Sequence, residues 1–182
     1  MRIIAGRHRS RIIKTLEGMN TRPMMDSMRE AVFNTIGPYF EDEVVLDLFG
    51  GSGALSLEAI SRGAKEATII DISRDAIRII TENVAVLHEE ERVHIIQASY
   101  LDALKRLGGE SYDLIFLDPP YRMNINNEII DILVAQNMIK PNGIIVCQYV
   151  RGNMEMPFGF RVLKNYHHGS GELAILQLLV TD

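Results

Sequence analysis

Between residues 44 and 149, five short apolar runs alternate with segments of helical periodicity, and that alternation leaves few architectures open. The runs lie at 44–48, 67–71, 93–97, 113–117 and 143–149. Between them, 54–62 ends at Gly63, and 74–87 places Ala76, Ile77, Ile80, Val84 and Leu87 on one stripe. The segment 101–107 ends at Gly108-Gly109, and 127–136 precedes a turn at Lys140-Pro141-Asn142-Gly143. Short apolar strands separated by helices form a mostly parallel sheet covered on both faces. After Tyr149 the alternation stops. The runs 160–166 and 173–180, joined by His167-His168-Gly169-Ser170-Gly171, read as an antiparallel pair at the sheet edge. Ahead of the first strand, Asp26 caps a helix that carries Ala31, Val32 and Ile36 on one face and stops at Gly37-Pro38. Residues 2–5 and 11–16 flank a polar turn and read as a hairpin. The expected fold is a doubly wound α/β domain, residues 1–182, with a seven-stranded, mostly parallel sheet and an N-terminal β-hairpin extension over residues 1–20. One continuous core suits a chain of 182 residues.

Composition narrows the classes. With 47% hydrophobic and 24% charged residues the chain is globular rather than disordered. No run approaches the ~20 apolar residues of a membrane span, and the start MRIIAGRHRSR lacks the apolar core of a signal peptide. The single cysteine, Cys147, excludes an intramolecular disulfide and fits a reducing compartment, so a cytoplasmic location is expected. Within an apolar strand it reads as a buried thiol, which argues against a covalent cysteine mechanism. His167-His168 has no accompanying Cys or carboxylate cluster, so no metal is expected. A monomer is the expected state. The net charge of −5 conceals a split: residues 1–30 carry seven basic and three acidic side chains, leaving −9 on the rest. Arg2, Arg7, Arg9, Arg11 and Lys14 of this basic arm are candidate contacts to a nucleic-acid backbone, of a kind that gives salt-sensitive affinity without sequence reading. A solvated hairpin with no partner is the plain alternative.

The first strand ends Val44-Val45-Leu46-Asp47-Leu48, and Phe49-Gly50-Gly51-Ser52-Gly53 leads directly into a helix. Glycines allow the sharp turn and let a ligand approach bare backbone. Asp71 closes the second strand 18 residues past Gly53, where a carboxylate can accept both hydroxyls of an adenosine ribose. Two cofactor classes share this geometry. A dinucleotide loop wants a third glycine or alanine where Ser56 stands. Asp47 would also repel a pyrophosphate, whereas it suits the amino group and sulfonium of S-adenosylmethionine (SAM). The cofactor site is therefore assigned to Asp47, Phe49, Gly51, Ser52, Gly53, Asp71 and Ile72.

The fourth strand runs into Asp118-Pro119-Pro120-Tyr121, the most specific feature of the sequence. The lone pair of an exocyclic amino group is delocalised into the base ring. Its two N–H donors, held by the Asp118 carboxylate and a backbone carbonyl, would turn the lone pair toward a methyl donor. Two prolines fix φ and remove two backbone donors, so the loop offers acceptors, and Tyr121 supplies a stacking face. Asp118, Pro119, Pro120 and Tyr121 are the candidate catalytic residues. The residues alone support methyl transfer to an amino nitrogen of a base. Adenine N6 of DNA or RNA remains a rival target, and a non-catalytic nucleotide- or NAD-binding module is the rival class.

In this order the two motifs resemble class I SAM-dependent methyltransferases, whose fold is Rossmann-like. With Ala5-Gly6-Arg7, Thr21-Arg22-Pro23, Arg29-Glu30-Ala31-Val32-Phe33-Asn34 and Glu58-Ala59-Ile60-Ser61-Arg62-Gly63-Ala64, the chain resembles the bacterial 16S ribosomal RNA (guanine-N2)-methyltransferase family over roughly residues 2–180. The resemblance implies one methyl transferred to the 2-amino group of a guanine in small-subunit rRNA, free or within an assembling 30S particle. It implies that Thr21, Arg22 and Pro23 fold over the cofactor. Two positions depart from the family: Met24 stands for the usual threonine, and Ser99 for an acid or amide near the adenine amino group.

Overall fold

The structure, a computed structural model, describes residues 1–16, 24, 26–120, 123–169 and 171–180, with backbone alone at His168. The elements follow as α1 (Asp26–Ile36), β1 (Val44–Asp47), α2 (Ala54–Ser61), β2 (Glu66–Asp71), α3 (Arg74–Leu87), β3 (Val93–Gln97), α4 (Tyr100–Arg106), β4 (Tyr112–Leu117), α5 (Asn126–Ala135), β5 (Ile139–Val150), β6 (Phe160–His168) and β7 (Gly171–Leu178). The seven strands are ordered β3-β2-β1-β4-β5-β7-β6. The first five are parallel, and β7 runs antiparallel to both β5 and β6. The expected edge pair is present, with β7 inserted between β5 and β6.

Strand alternation sends successive side chains to opposite faces. Val45, Leu114 and Phe116 join Val32, Phe33, Leu57, Ile60 and Ile80 beneath α1, α2 and α3. Leu46, Ile115 and Leu117 join Leu104, Ile129, Ile130 and Leu133 beneath α4 and α5. The strand order reverses between β1 and β4, so the loops leaving their carboxyl ends part and open a crevice.

Three expectations are corrected. The turn at Lys140–Gly143 lies inside a longer β5: Tyr112 pairs with Ile139 and Leu114 with Ile144, so three extra residues bulge out, with Asn142 left-handed at φ 61. The buried stripe of α3 uses Ile79 rather than Ile77, and that of α1 uses Arg29 and Phe33 with Val32. The N-terminal hairpin reduces to one antiparallel bridge, Arg2 to Ile12, beside three backbone bonds from Ile3 N to Arg11 O, Ser10 N to Ile3 O and Ile13 N to Met1 O. The reason is where its donors go. Ile4 N and Ala5 N donate to the two carboxylate oxygens of Glu58 on α2, at 2.8 and 3.0 Å, and Lys14 N donates to Asn83 Oδ1 on α3, at 2.7 Å. Main-chain groups bonded to helix side chains cannot also build a ladder.

Candidate active site

At the carboxyl end of β1 the chain turns sharply. Gly50 N donates to Ile70 O at 2.8 Å, stitching the loop to β2, and Gly53 N donates to Gly50 O at 2.7 Å. Gly51 and Gly53 take left-handed φ of 58 and 79, a region that favours glycine. Gly53 also stands at the N-cap of α2 without a side-chain cap, which leaves the first N–H donors of the helix for a ligand. Asp71 braces the loop from β2: its Oδ2 accepts from Gly51 N at 2.9 Å and its Oδ1 from Ser73 N at 2.8 Å. Ile72 is 71% exposed beside it, an apolar side chain left uncovered by the described residues. Phe49 meets Tyr100 of α4 with ring centroids 5.9 Å apart.

Asp47 lies 2% exposed behind the loop. Its Oδ2 accepts from Ser56 Oγ at 3.0 Å and its Oδ1 from Phe49 N at 3.3 Å. Burial lifts its carboxyl to about 7. The two hydrogen bonds oppose the rise, and the Asp118 and Asp71 carboxylates add to it. Asp118 follows β4 at the rim of the same crevice; its side chain is exposed to solvent, yet the protein around it raises its carboxyl, by desolvation, to about 6. Three carboxyl groups thus converge on one cleft, which favours a cationic ligand and disfavours a pyrophosphate.

Pro119 is buried and Pro120 exposed. The Pro120 carbonyl accepts from Met123 N at 2.9 Å, whereas no backbone N–H of the described residues donates to the Pro119 carbonyl. Tyr121, Thr21, Arg22 and Pro23 lie outside the described residues.

Two sequence assignments change character. The Ser99 hydroxyl is the N-cap of α4: it accepts from Asp102 N at 3.2 Å and donates to Asp102 Oδ2 at 2.8 Å, so it is committed to the helix. The basic arm is not a row of free cations. Arg2 pairs with Asp26 at 3.3 Å, Arg7 with Glu89 at 3.6 Å and Lys14 with Glu82 at 2.7 Å, while Arg11 donates to Val86 O at 2.7 Å. Arg9 is exposed and makes no such contact among the described residues. Arg7 N donates to Ser61 O at the far end of α2, about 12 Å of helix away from the glycine loop. Cys147 is fully buried and its thiol is pushed up to about 12 by burial, as suits a structural residue.

Sequence reasoning missed three polar residues. Glu58 is 0% exposed; besides the arm it accepts from Arg62 Nε at 2.8 Å and faces Arg29 Nε at 3.7 Å. Asn83 holds Lys14 through both amide atoms and also donates to Ser52 O at 2.9 Å, joining the arm to the cofactor loop. Asn126, at the start of α5, donates to Gln148 O at 2.9 Å. The only signal for any of them was a polar residue on an otherwise apolar helical stripe.

The family model described as conserved hypothetical protein 95 matches residues 1–177. The chain belongs to that family. Ribosomal RNA small subunit methyltransferase D of Haemophilus influenzae is 35% identical, over 86% of this chain and 81% of its own length. Its namesake in Escherichia coli is 32% identical over 85% and 76%. The solved yhhF protein of Escherichia coli superposes with a TM-score of 0.88 at 28% identity, covering 100% of this chain and 99% of its own. A structure complexed with S-adenosylhomocysteine shares the fold at 15% identity and a TM-score of 0.69, over 82% of this chain and 49% of its own. The crevice belongs to the fold shared with these named methyltransferases, and the cofactor to set against its residues is SAM.

The residues fit that cofactor. Asp71 offers a carboxylate that would take ribose hydroxyls, Ile72 an apolar surface for a planar ring, and Asp47 suits an ammonium group.

Proposed function

We propose that this protein methylates the N2 amino group of a guanine in 16S rRNA of the small ribosomal subunit. The observation that carries the reading is Asp118 and the Pro119 carbonyl, which accepts from no backbone N–H among the described residues, set at the end of β4 in the crevice that also holds Asp47, Gly51 and Asp71. The family's relatives named for small-subunit rRNA supply the substrate class.

Bound SAM supplies an electrophilic methyl group. The protein's own part is placement and charge. Asp118, with a carboxyl near 6, is mostly ionised at pH 7 and accepts one amino N–H, while the Pro119 carbonyl accepts the other. As the nitrogen gains a methyl it becomes cationic. Asp118 stabilises that charge and takes the proton the product must lose, more readily than a carboxylate of ordinary pKa would. A stacked or paired guanine has to be flipped out to reach this cleft. Arg9 and the outer faces of Arg7 and Arg11 then supply backbone contacts to the RNA.

Incubation with labelled SAM and small subunits lacking their native methylations, followed by nucleoside analysis, tests the reading. N2-methylguanosine is the expected product. N6-methyladenosine in its place, or label only in protein, would refute it.

A further inference from the structure

Beside the catalytic loop lies a small cavity of about 10 Å³, walled by Pro119, Pro120, Asn124, Asn126, Tyr149 and the strand end at Gln148–Val150. That is the room of a single water molecule. Asn126, 4% exposed, lines it. Its amide nitrogen is engaged by Gln148 O, which fixes the orientation of the carboxamide. Its Oδ1 is fully buried and has no hydrogen-bond partner among the described residues. A buried, unpaired carboxamide oxygen is costly and rare, and it calls for a donor. The neighbouring Pro119 and Pro120 have no N–H to give.

We propose that Asn126 makes this site select a purine that carries a hydrogen on N1, by way of one water held between its Oδ1 and the proline loop. The inference rests on the guanine-N2 reading above. A water that donates one hydrogen to Asn126 Oδ1 and the other to a carbonyl of the loop turns only lone pairs toward the cleft. The amino group of guanine is flanked by N1–H on one side and by N3, a bare lone pair, on the other. An acceptor at the wall takes the N1 side, which orients the base, and it repels a purine whose N1 has no hydrogen. Asn126 is a specificity-determining residue in this scheme; Asp118 and the Pro119 carbonyl handle the reacting nitrogen.

The test uses small subunits reconstituted with rRNA in which the mapped target guanine is replaced by 2,6-diaminopurine. This base keeps the 2-amino group and lacks the N1 hydrogen. The wild-type protein should methylate guanine about 10-fold better in kcat/KM. Asn126→Leu should bring that ratio to within about twofold of unity, with binding of S-adenosylhomocysteine unchanged. Equal rates on both bases with the wild-type protein would overturn the proposal. So would a leucine variant that slows both substrates by the same factor, which is what a purely structural role predicts. If Asn126→Leu fails to fold, Asn126→Ser, which also removes the carboxamide oxygen, is read in its place, and a preference for guanine that stays about 10-fold in that variant would overturn the proposal. N2-methylation absent from guanine itself would remove the substrate reading and this inference with it, an outcome distinct from equal N2-methylation of both bases.

Discussion

Binding of SAM should be coupled to a proton on Asp47. With its carboxyl near 7 in the free protein, Asp47 is about 9% ionised at pH 6, half ionised at pH 7 and about 91% at pH 8. An ammonium group beside it favours the ionised form, so the ligand must displace the proton where one is present. Affinity at pH 8 should exceed that at pH 6 by about tenfold, and roughly half a proton should leave per site at pH 7. Calorimetry with S-adenosylhomocysteine at pH 6, 7 and 8, each in two buffers of different ionisation enthalpy, measures both quantities. Asp118→Ala run in parallel removes the neighbouring carboxyl that titrates about a unit lower, and Asp47→Asn should flatten the profile. The same shift has a sign for stability. The folded pKa lies above the ordinary carboxylate value, so the ligand-free protein should lose stability as pH rises from about 4 through about 7, and bound ligand should reverse that trend. Affinity constant from pH 6 to 8 with no proton released would refute the placement of the amino group at Asp47.

Four further perturbations test other residues. Asp118→Ala should lower kcat by roughly 10²–10⁴-fold with cofactor affinity nearly intact; in the wild-type protein kcat should rise through pH 6 and level off above it, as Asp118 ionises. Glu58→Ala strands two buried guanidinium groups and two backbone donors and should cost about 3–5 kcal/mol, a fall in Tm of roughly 6–20 °C; a change under 1 kcal/mol in urea unfolding would show the network to be dispensable. Charge reversal at Arg9 should weaken RNA binding and flatten its salt dependence while leaving Tm unchanged. At Arg7 the same change also meets the buried Glu89 carboxylate at 3.6 Å, so stability and binding should fall together.

Most of the architecture was legible because parallel strands buried on both faces read as continuous apolar runs, and the turns between them carry glycine. The carboxylates of the site were legible for a related reason. Asp47, Asp71 and Asp118 each end such a run, where an α/β sheet presents ligands. What could not be read was the fate of polar groups that leave the surface. Arg29, Glu58, Asn83 and Asn126 sit in helices where charged and amide residues normally face water, and only the packing of α1, the arm and β5 against them reveals the burial. The apolar arm misled for the converse reason. Ile3, Ile4, Ile12 and Ile13 look like paired strands, yet Ile12 is 77% exposed and only Ile3 and Ile13 enter the core. The bulge at Asn142 reads as a turn because proline, asparagine and glycine carry the same local signal in both settings.

The way the arm is fastened separates two jobs. Glu58 and Asn83 hold its main chain, through Ile4 N, Ala5 N, Lys14 N and Lys14 O, rather than its side chains. A sequence that keeps Ile3 and Ile13 inward, and glycine at position 6 where a Cβ would meet Ser61 O at 1.9 Å, can therefore dock in the same place. Arg9, exposed and without such a contact among the described residues, is the position left open to substitution, so the arm's chemistry toward a partner can change there while its seat, and the link through Asn83 to the glycine loop, stays fixed.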